Sequence, residues 1–254
     1  MLELKNVSSG YGKLPVLQNV SLSVEKGSVL SIVGPNGSGK STLLKTAVGI
    51  LNLAEGEITV DGTPIGKLTG KQLAQRVAYL PQGKDIPDMT VGQLVLHGRF
   101  PYIGFPRRYT EKDVRIAREV LEKMGLSDLC DRPLKTLSGG MRQKAYIAMA
   151  LAQDTDYILF DEPTTYLDIS HQLEFMEIIK SLTDIGKGVI TVMHDLPLAF
   201  NFSDRIIVMN EGRVVADSFP QELQSSGIIN EVFGVYLLES DDDKMYFLNY
   251  HKGK

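Results

Sequence analysis

The stretch Gly34-Pro-Asn-Gly-Ser-Gly-Lys-Ser-Thr42 places a glycine, four residues and then Gly-Lys-Ser in the spacing that cradles the phosphates of a nucleotide. Gly34, Gly37 and Gly39 let the backbone turn so that successive N–H groups point inward at anionic oxygens. Pro35, Asn36, Ser38 and Thr42 complete the loop. Lys40 is placed to reach the β- and γ-phosphates of ATP, and the Ser41 hydroxyl to ligate Mg²⁺. The loop needs a strand before it and a helix after it. The apolar run Val29–Val33 leads in, and the helical pattern Thr42–Val48 leads out, adding its positive N-terminal end.

Three more apolar runs end in polar residues. Val77–Pro81 ends at Gln82, Tyr157–Phe160 at Asp161-Glu162, and Val189–Met193 at His194-Asp195. Each alone reads as an ordinary loop. In an open parallel sheet, however, the carboxyl ends of the strands line the ligand crevice, so these groups are expected to gather around one nucleotide. Hydrolysis of a γ-phosphate needs charge neutralisation by Mg²⁺, an in-line water, and a group that orients or deprotonates it. Asp161 is placed to hold Mg²⁺, directly or through water, and Glu162 to face the attacking water as general base. Gln82 can contact the metal or the water through either end of its amide, and His194 can hydrogen-bond the γ-phosphate.

A second glycine-rich stretch, Leu137-Ser-Gly-Gly-Met-Arg-Gln143, precedes an apolar helical run through Ala145, Ala148 and Ala152. Ser138 suits an N-cap, and Gly139 and Gly140 expose backbone N–H groups. A plain helix start is one reading. The other is a second anion site serving a nucleotide on another copy of the chain, since the first site already has its own loop.

The elements that must position these groups follow from periodicity. Residues 1–33 alternate apolar and polar positions and read as antiparallel strands broken at Ser9-Gly10 and Lys26-Gly27. Glu57–Ile65 reads as a hairpin with Asp61-Gly62 at its tip. From about 84 to 152 the pattern is helical, with capping boxes expected at Thr90–Gln93 and Thr110–Asp113. The second of these helices carries Val114, Ala117, Val120, Leu121 and Met124 on one face and stops near Gly125. Strands then alternate with a helix at about 171–184, and a turn at Asn210–Arg213 closes the chain's last short strands. Such alternation predicts an α/β fold with a mostly parallel core sheet flanked by helices.

Composition sets modest bounds. The 254 residues, 43% hydrophobic and 23% charged, are ordinary for a soluble globular protein. A net charge of −4 argues against a nucleic-acid binder relying on a basic surface. Cys130 is the only cysteine and reads as a core or helix-end thiol, so no internal disulfide forms. No apolar run is long enough to span a bilayer and no signal pattern opens the chain, so a membrane role must come through a partner. The acidic Glu239–Asp243 run reads as a solvated loop.

Gly34–Thr42, Gln82, Leu137–Gln143, Phe160-Asp-Glu-Pro163, Leu167-Asp168 and His194 occur in the order and spacing of the ATP-binding subunits of ABC transporters. They resemble the Walker A loop, Q-loop, signature motif, Walker B strand, D-loop and H-loop in turn, over essentially the whole chain. The resemblance implies one P-loop ATPase domain over 1–254, with an N-terminal antiparallel β subdomain and a helical subdomain inserted within about 84–152. It also implies that Tyr11, ahead of Val16, stacks on adenine, although from the residues alone it could be a turn tyrosine. Asp168, with Ser138, Gly139 and Gly140, is implied to contact the partner copy's nucleotide.

Gly98-Arg-Phe-Pro-Tyr102 and Thr165–Gln172 resemble the branch that serves importers of iron–siderophore complexes, haem and cobalamin. Tyr166 stands where many ABC proteins carry a small residue, and the metal-chelate branch tolerates aromatics there. The resemblance therefore implies an ATPase acting as a head-to-tail dimer on the cytoplasmic face of the membrane, using ATP and Mg²⁺. Its partners would be permease subunits and, indirectly, an external substrate-binding protein, with no nucleic acid. A soluble ABC ATPase of iron–sulfur cluster assembly and the ATPase of a separate-chain exporter are the alternatives. DNA-repair members carry a long coiled coil and translation factors two ATPase units, and neither feature is present. Phe100–Pro106 is either a buried kink or a patch facing a permease's cytoplasmic helix.

Overall fold

The computed structural model describes residues 1–12, 14–83, 86–165, 167–240 and 245–249. Tyr166 lies outside them, as does most of the acidic run after Glu239.

Period-2 alternation in the first third builds an antiparallel sheet. β1 (Leu2–Tyr11) and β2 (Leu14–Val24) form a hairpin that turns Leu2, Leu4, Val7, Leu17 and Val20 inward. β3 (Val29–Val33), buried throughout, leaves this sheet for the core sheet and delivers the chain to α1 (Lys40–Ala47). β4 (Leu53–Val60) returns to pair with β1, and β5 (Thr63–Pro64) closes the hairpin over Asp61-Gly62. Both tip residues have positive φ (48° and 74°), as this turn requires. Two expectations for residues 1–33 therefore change. β3 is parallel to its neighbours, and Ser9-Gly10 does not break the strand. Instead Gly10 pairs with Pro15 inside β1, where register shifts absorb the irregularity.

After α2 (Gly70–Ala74), β6 (Val77–Leu80) joins the core sheet at its edge. The chain then leaves for the helical lobe: α3 (Val91–His97), α4 (Glu111–Lys123) and α5 (Gly139–Ala152). Thr90–Gln93 and Thr110–Asp113 both form complete capping boxes. On α4, Ala117 and Leu121 are buried, but Val114, expected on the same face, is exposed, and Asp113 rather than Val114 is the buried residue of the first turn. β7 (Tyr157–Asp161), α6 (Ile169–Asp184), β8 (Gly188–Val192), α7 (Leu196–Phe202), β9 (Arg205–Asn210) and β10 (Arg213–Ser218) complete the core. α8 (Pro220–Ser225), α9 (Ile228–Phe233) and the hairpin of β11 (Tyr236–Glu239) with β12 (Tyr246–Asn249) follow.

The core sheet runs β10-β9-β3-β8-β7-β6, parallel except for β10. Its two faces are sorted by alternation. Leu30, Ile32, Leu159, Ile190, Val192 and Ile207 pack toward the antiparallel sheet and α1. Val33, Leu80, Phe160, Val189, Ile206 and Val208 pack toward the helical lobe, α6 and α7. The same period sends Asp161, the last residue of β7, to the face that carries Leu159.

Candidate active site

The four strands whose ends carry polar groups are neighbours in the sheet, in the order β3, β8, β7, β6. Gly34, Gln82, Asp161-Glu162 and His194 therefore leave one edge together, as expected. A cavity of about 680 Å³ opens there, lined by Tyr11, Val16, Asn36, Gly37, Gly39, Lys40, Ser41, Thr42, Gln82, Glu162, Thr165 and His194.

The loop is held by its backbone. Gly39 caps α1 with φ 98°, a conformation costly for any residue with a Cβ, so the helix starts with its N–H groups free to face the cavity. Gly34 passes so close under β9 that a Cβ would stand 2.3 Å from the Met209 carbonyl oxygen. Lys40, buried, donates from Nζ to the Gly34 and Pro35 carbonyls at 2.8 and 2.9 Å. Burial pushes its pKa down, and the charges of Glu162 and Asp161 oppose the shift. Ser38 Oγ is buried and finds no hydrogen-bond partner among the described residues.

Asp161 continues the face of β7 that carries Leu159, so it meets α1. Ser41 Oγ donates to its Oδ1 at 2.8 Å and Tyr79 Oη to its Oδ2 at 3.0 Å. Burial pushes its pKa up against those two hydrogen bonds. Burial, with Asp161 beside it, also holds the Tyr79 phenol protonated far above its ordinary range.

Glu162 points the other way, from a left-handed backbone at φ 51°. Such a conformation is uncommon outside glycine, Asn and Asp, and it turns the carboxylate away from Asp161 into the cavity. His194 Nε2 lies 2.5 Å from Oε1, while Gln82 Nε2 and Thr165 Oγ1 donate to Oε2. The Glu162 side chain is 10% exposed. Both oxygens are thus positioned by side chains from two neighbouring strand ends and the turn that follows Glu162. Tyr79 and Thr165 were not singled out in the sequence. Tyr79 sits one residue short of the end of β6, where an aromatic reads as core, and Thr165 is separated from Glu162 by a turn.

These residues fit ATP and Mg²⁺. The loop offers N–H donors, an unpaired buried hydroxyl at Ser38 and a cation at Lys40. Ser41 with Asp161 presents the hard oxygen pair that Mg²⁺ takes alongside phosphate oxygens.

Ser138 caps α5, accepting from Met141 N at 3.3 Å, and Asp168 caps α6, accepting from His171 N at 2.9 Å. Neither they nor Gly140 line the phosphate cavity. Gly139 reaches a neighbouring groove of about 210 Å³ that shares Gln82, Glu162 and Thr165. The start of α5 lies beside the start of α6: a Cβ added at Gly140 would stand 3.5 Å from the His171 ring, whose Nδ1 lies 2.7 Å from Asp168 Oδ1. The Asp168 carboxyl is held at about 2 by hydrogen bonds from the His171 backbone, Ser170 and the His171 ring.

Residues 17–165, from within β2 to the turn after Glu162, match the profile of the ABC transporter family. The chain belongs to the ABC transporter family. The cavity just described lies largely within the matched residues, with His194 beyond them. Among curated relatives, this ABC ATPase is 40% identical to the petrobactin import ATP-binding protein YclP of Bacillus subtilis, over 92% of each chain. It is 38% identical to the petrobactin import ATP-binding protein FpuD of Bacillus anthracis, over 91% of this chain and 86% of that one. To the ferric enterobactin transport ATP-binding protein FepC of Escherichia coli it is 37% identical, over 94% and 89%. A solved nucleotide-free ATP-binding cassette from an ABC transporter superposes with TM-score 0.83 at 27% identity, covering 91% of this chain and 96% of that one. A metal-chelate type ABC transporter solved in an inward-facing conformation shares the fold at TM-score 0.84 and 24% identity, over 99% and 98%. Among the described residues no helix is long and apolar enough to cross a membrane.

Proposed function

We propose that this ABC ATPase powers import of a ferric siderophore or a chemically similar metal chelate through a separate permease, working as a head-to-tail dimer. The observation that carries the cargo class is the agreement among relatives. Proteins named for petrobactin, iron(3+)-hydroxamate and ferric enterobactin match this chain at 37–40% identity over more than nine-tenths of its length.

ATP enters with adenine on the exposed Tyr11 ring beside Val16 and its phosphates on Gly34–Thr42. Lys40 exchanges the Gly34 and Pro35 carbonyls for phosphate oxygens, which supply the anion that its buried ammonium lacks. Ser41 and Asp161, directly or through water, with Gln82 alongside, would hold Mg²⁺, which would supply neutralisation of phosphate charge. Glu162 takes the proton of the attacking water. His194 steers its Oε1 and, as the γ-phosphate arrives, donates to that group. Gln82 steers its Oε2. Ser138, Gly139, Gly140 and Asp168 complete the site of the partner copy, which accounts for their standing outside the cavity of their own chain.

The permease surface is a groove of about 370 Å³ lined by Gly70, Lys71, Ala74, Phe100, Pro101, Ile103, Gly104 and Arg107. Phe100 is 51% and Phe105 100% exposed, so these two form the patch, whereas Tyr102 is half-buried beneath it. The apolar floor with Lys71 and Arg107 at its rim suits a short cytoplasmic helix carrying an apolar knob and an acidic residue. Docked there, the protein sits peripherally on the cytoplasmic face, with a substrate-binding protein on the other side.

Purification from native membranes tests this reading. Copurification of a permease and a binding protein that holds a ferric chelate supports it. A soluble iron–sulfur scaffold, or no membrane partner, overturns it.

A further inference from the structure

Arg99 is a charged side chain with almost no contact with solvent. It is 3% exposed, and its guanidinium is held by a carboxylate, two carbonyls and an aromatic ring. Nε donates to Asp113 Oδ1 at 3.0 Å, and Nη1 donates to the carbonyls of Ala152 at 2.9 Å and Gln153 at 3.4 Å. The guanidinium carbon stacks 3.8 Å from the centre of the Tyr102 ring, whose hydroxyl donates to the Asp154 carbonyl at 3.3 Å. Asp113 is itself the third residue of α4 and the acidic half of its capping box, accepting from Thr110 N and Oγ1 at 2.9 and 2.7 Å.

One side chain therefore joins three things: the start of α4, the last carbonyls of α5, and the turn Phe100–Tyr102. A cation on the C-terminal carbonyls of α5 is also the favourable sign for that end of a helix. The neighbouring Gly98 permits the approach, since a Cβ there would stand 2.2 Å from the Met149 carbonyl oxygen. From this fixed base the turn throws Phe100 outward, while Tyr102 stays inside as the stacked ring. At its other end α5 begins with Ser138 as cap and Gly139-Gly140. At about 1.5 Å per residue, some 20 Å of rigid helix separate the two ends.

A buried ion pair is a poor way to stabilise a core, because an apolar replacement of similar shape is often equal or better. Its specific geometry is what an apolar side chain cannot supply. We propose that Arg99 is a positioning residue that makes the outward turn Phe100–Tyr102 and the helix α5 one body, so that displacement at either end of α5 is passed to the other. Calling that turn a docking surface rests on the import reading; the mechanical link does not.

Lysine is the informative substitution. A single ammonium can stay beside Asp113, yet it lacks the planar fork that also reaches two carbonyls and stacks on an aromatic face. The readout is amide hydrogen exchange at Phe100–Ile103 in the isolated protein, with and without ATP, in a Glu162→Gln background that retains nucleotide. Without Arg99 substitution, ATP slows exchange at the turn. Arg99→Lys keeps ATP affinity and a cooperative fold but loses that nucleotide-dependent protection by about fivefold to tenfold. Should Arg99→Lys fail to fold, Tyr102→Leu, which removes the stacked ring and leaves the ion pair, is expected to reduce the same protection. Unchanged protection in the folded variant, or no effect of ATP on the turn in the parent, overturns the proposal. No permease is needed, so failure of copurification sinks the import reading and leaves this result standing on its own.

Discussion

His194 Nε2 lies 2.5 Å from Glu162 Oε1, so the residue that ends β8 holds the residue that ends β7 in the direction of the cavity. The contact depends on the left-handed backbone of Glu162, which turns its side chain to the His194 side of the sheet edge. Removing the imidazole frees one carboxylate oxygen to rotate. His194→Ala is expected to keep ATP binding while hydrolysis falls by about 10²-fold. A steady-state ATPase assay alongside nucleotide binding checks this, and wild-type turnover would remove His194 from the site.

The composite nature of the site has its own test. Ser138→Arg blocks the start of α5, and Lys40→Ala disables the loop, so each variant alone should hydrolyse ATP poorly. Mixed, they form dimers retaining one intact site, and activity is expected to return to a measurable fraction of wild type. Ser138→Arg hydrolysing at full rate at low protein concentration would show that the cap of α5 serves no nucleotide.

The Arg99–Asp113 pair carries a pH signature. Burial opposes ionisation of Asp113, but the hydrogen bonds from Thr110 and the Arg99 guanidinium outweigh it and hold the pKa below the ordinary value. A carboxyl depressed in the folded state contributes stability above its unfolded pKa of about 3.9, and the contribution disappears as pH falls through the lower folded value. Asp113→Asn should therefore cost about 3–5 kcal/mol at neutral pH, because Arg99 stays buried without its counterion. The gap to wild type should close in acid. Urea midpoints across pH 7 to 3 measure it, and a gap independent of pH would contradict the assignment.

Phe100 and Phe105 face solvent while Tyr102 braces Arg99. Phe100→Ser combined with Phe105→Ser is accordingly expected to leave isolated ATP hydrolysis intact while lowering permease copurification and transport. Loss of folding would make the two rings core residues, and full transport would place the docking surface elsewhere.

Much of this site was legible because its groups sit at fixed offsets from apolar runs. The loop glycines, Gln82, Asp161, Glu162 and His194 all follow strands, and strand ends of a parallel sheet converge. The capping boxes at Thr90 and Thr110 were legible for the same local reason. What depended on packing was not. Nothing near Tyr79 signals that its hydroxyl meets Asp161 on the neighbouring strand. Arg99, Asp113 and the carbonyl of Ala152 lie far apart in sequence and meet only when three helices pack. The aromatics at 100, 102 and 105 looked equivalent, but the Arg99 stack draws Tyr102 inward and leaves the other two outside. The break expected at Ser9-Gly10 failed because a bulged strand can carry a glycine through a close approach, here to the Leu14 carbonyl.

Glu162 as general base is the central chemical claim, and Glu162→Gln tests it most directly. Glutamine keeps the size and can still meet Gln82, Thr165 and His194, but it cannot take a proton from water. Single-turnover hydrolysis should fall by about 10² or more, with ATP affinity retained and a stable ATP-bound dimer accumulating on gel filtration. Hydrolysis within a few-fold of wild type would contradict the assignment and require another group to accept the proton.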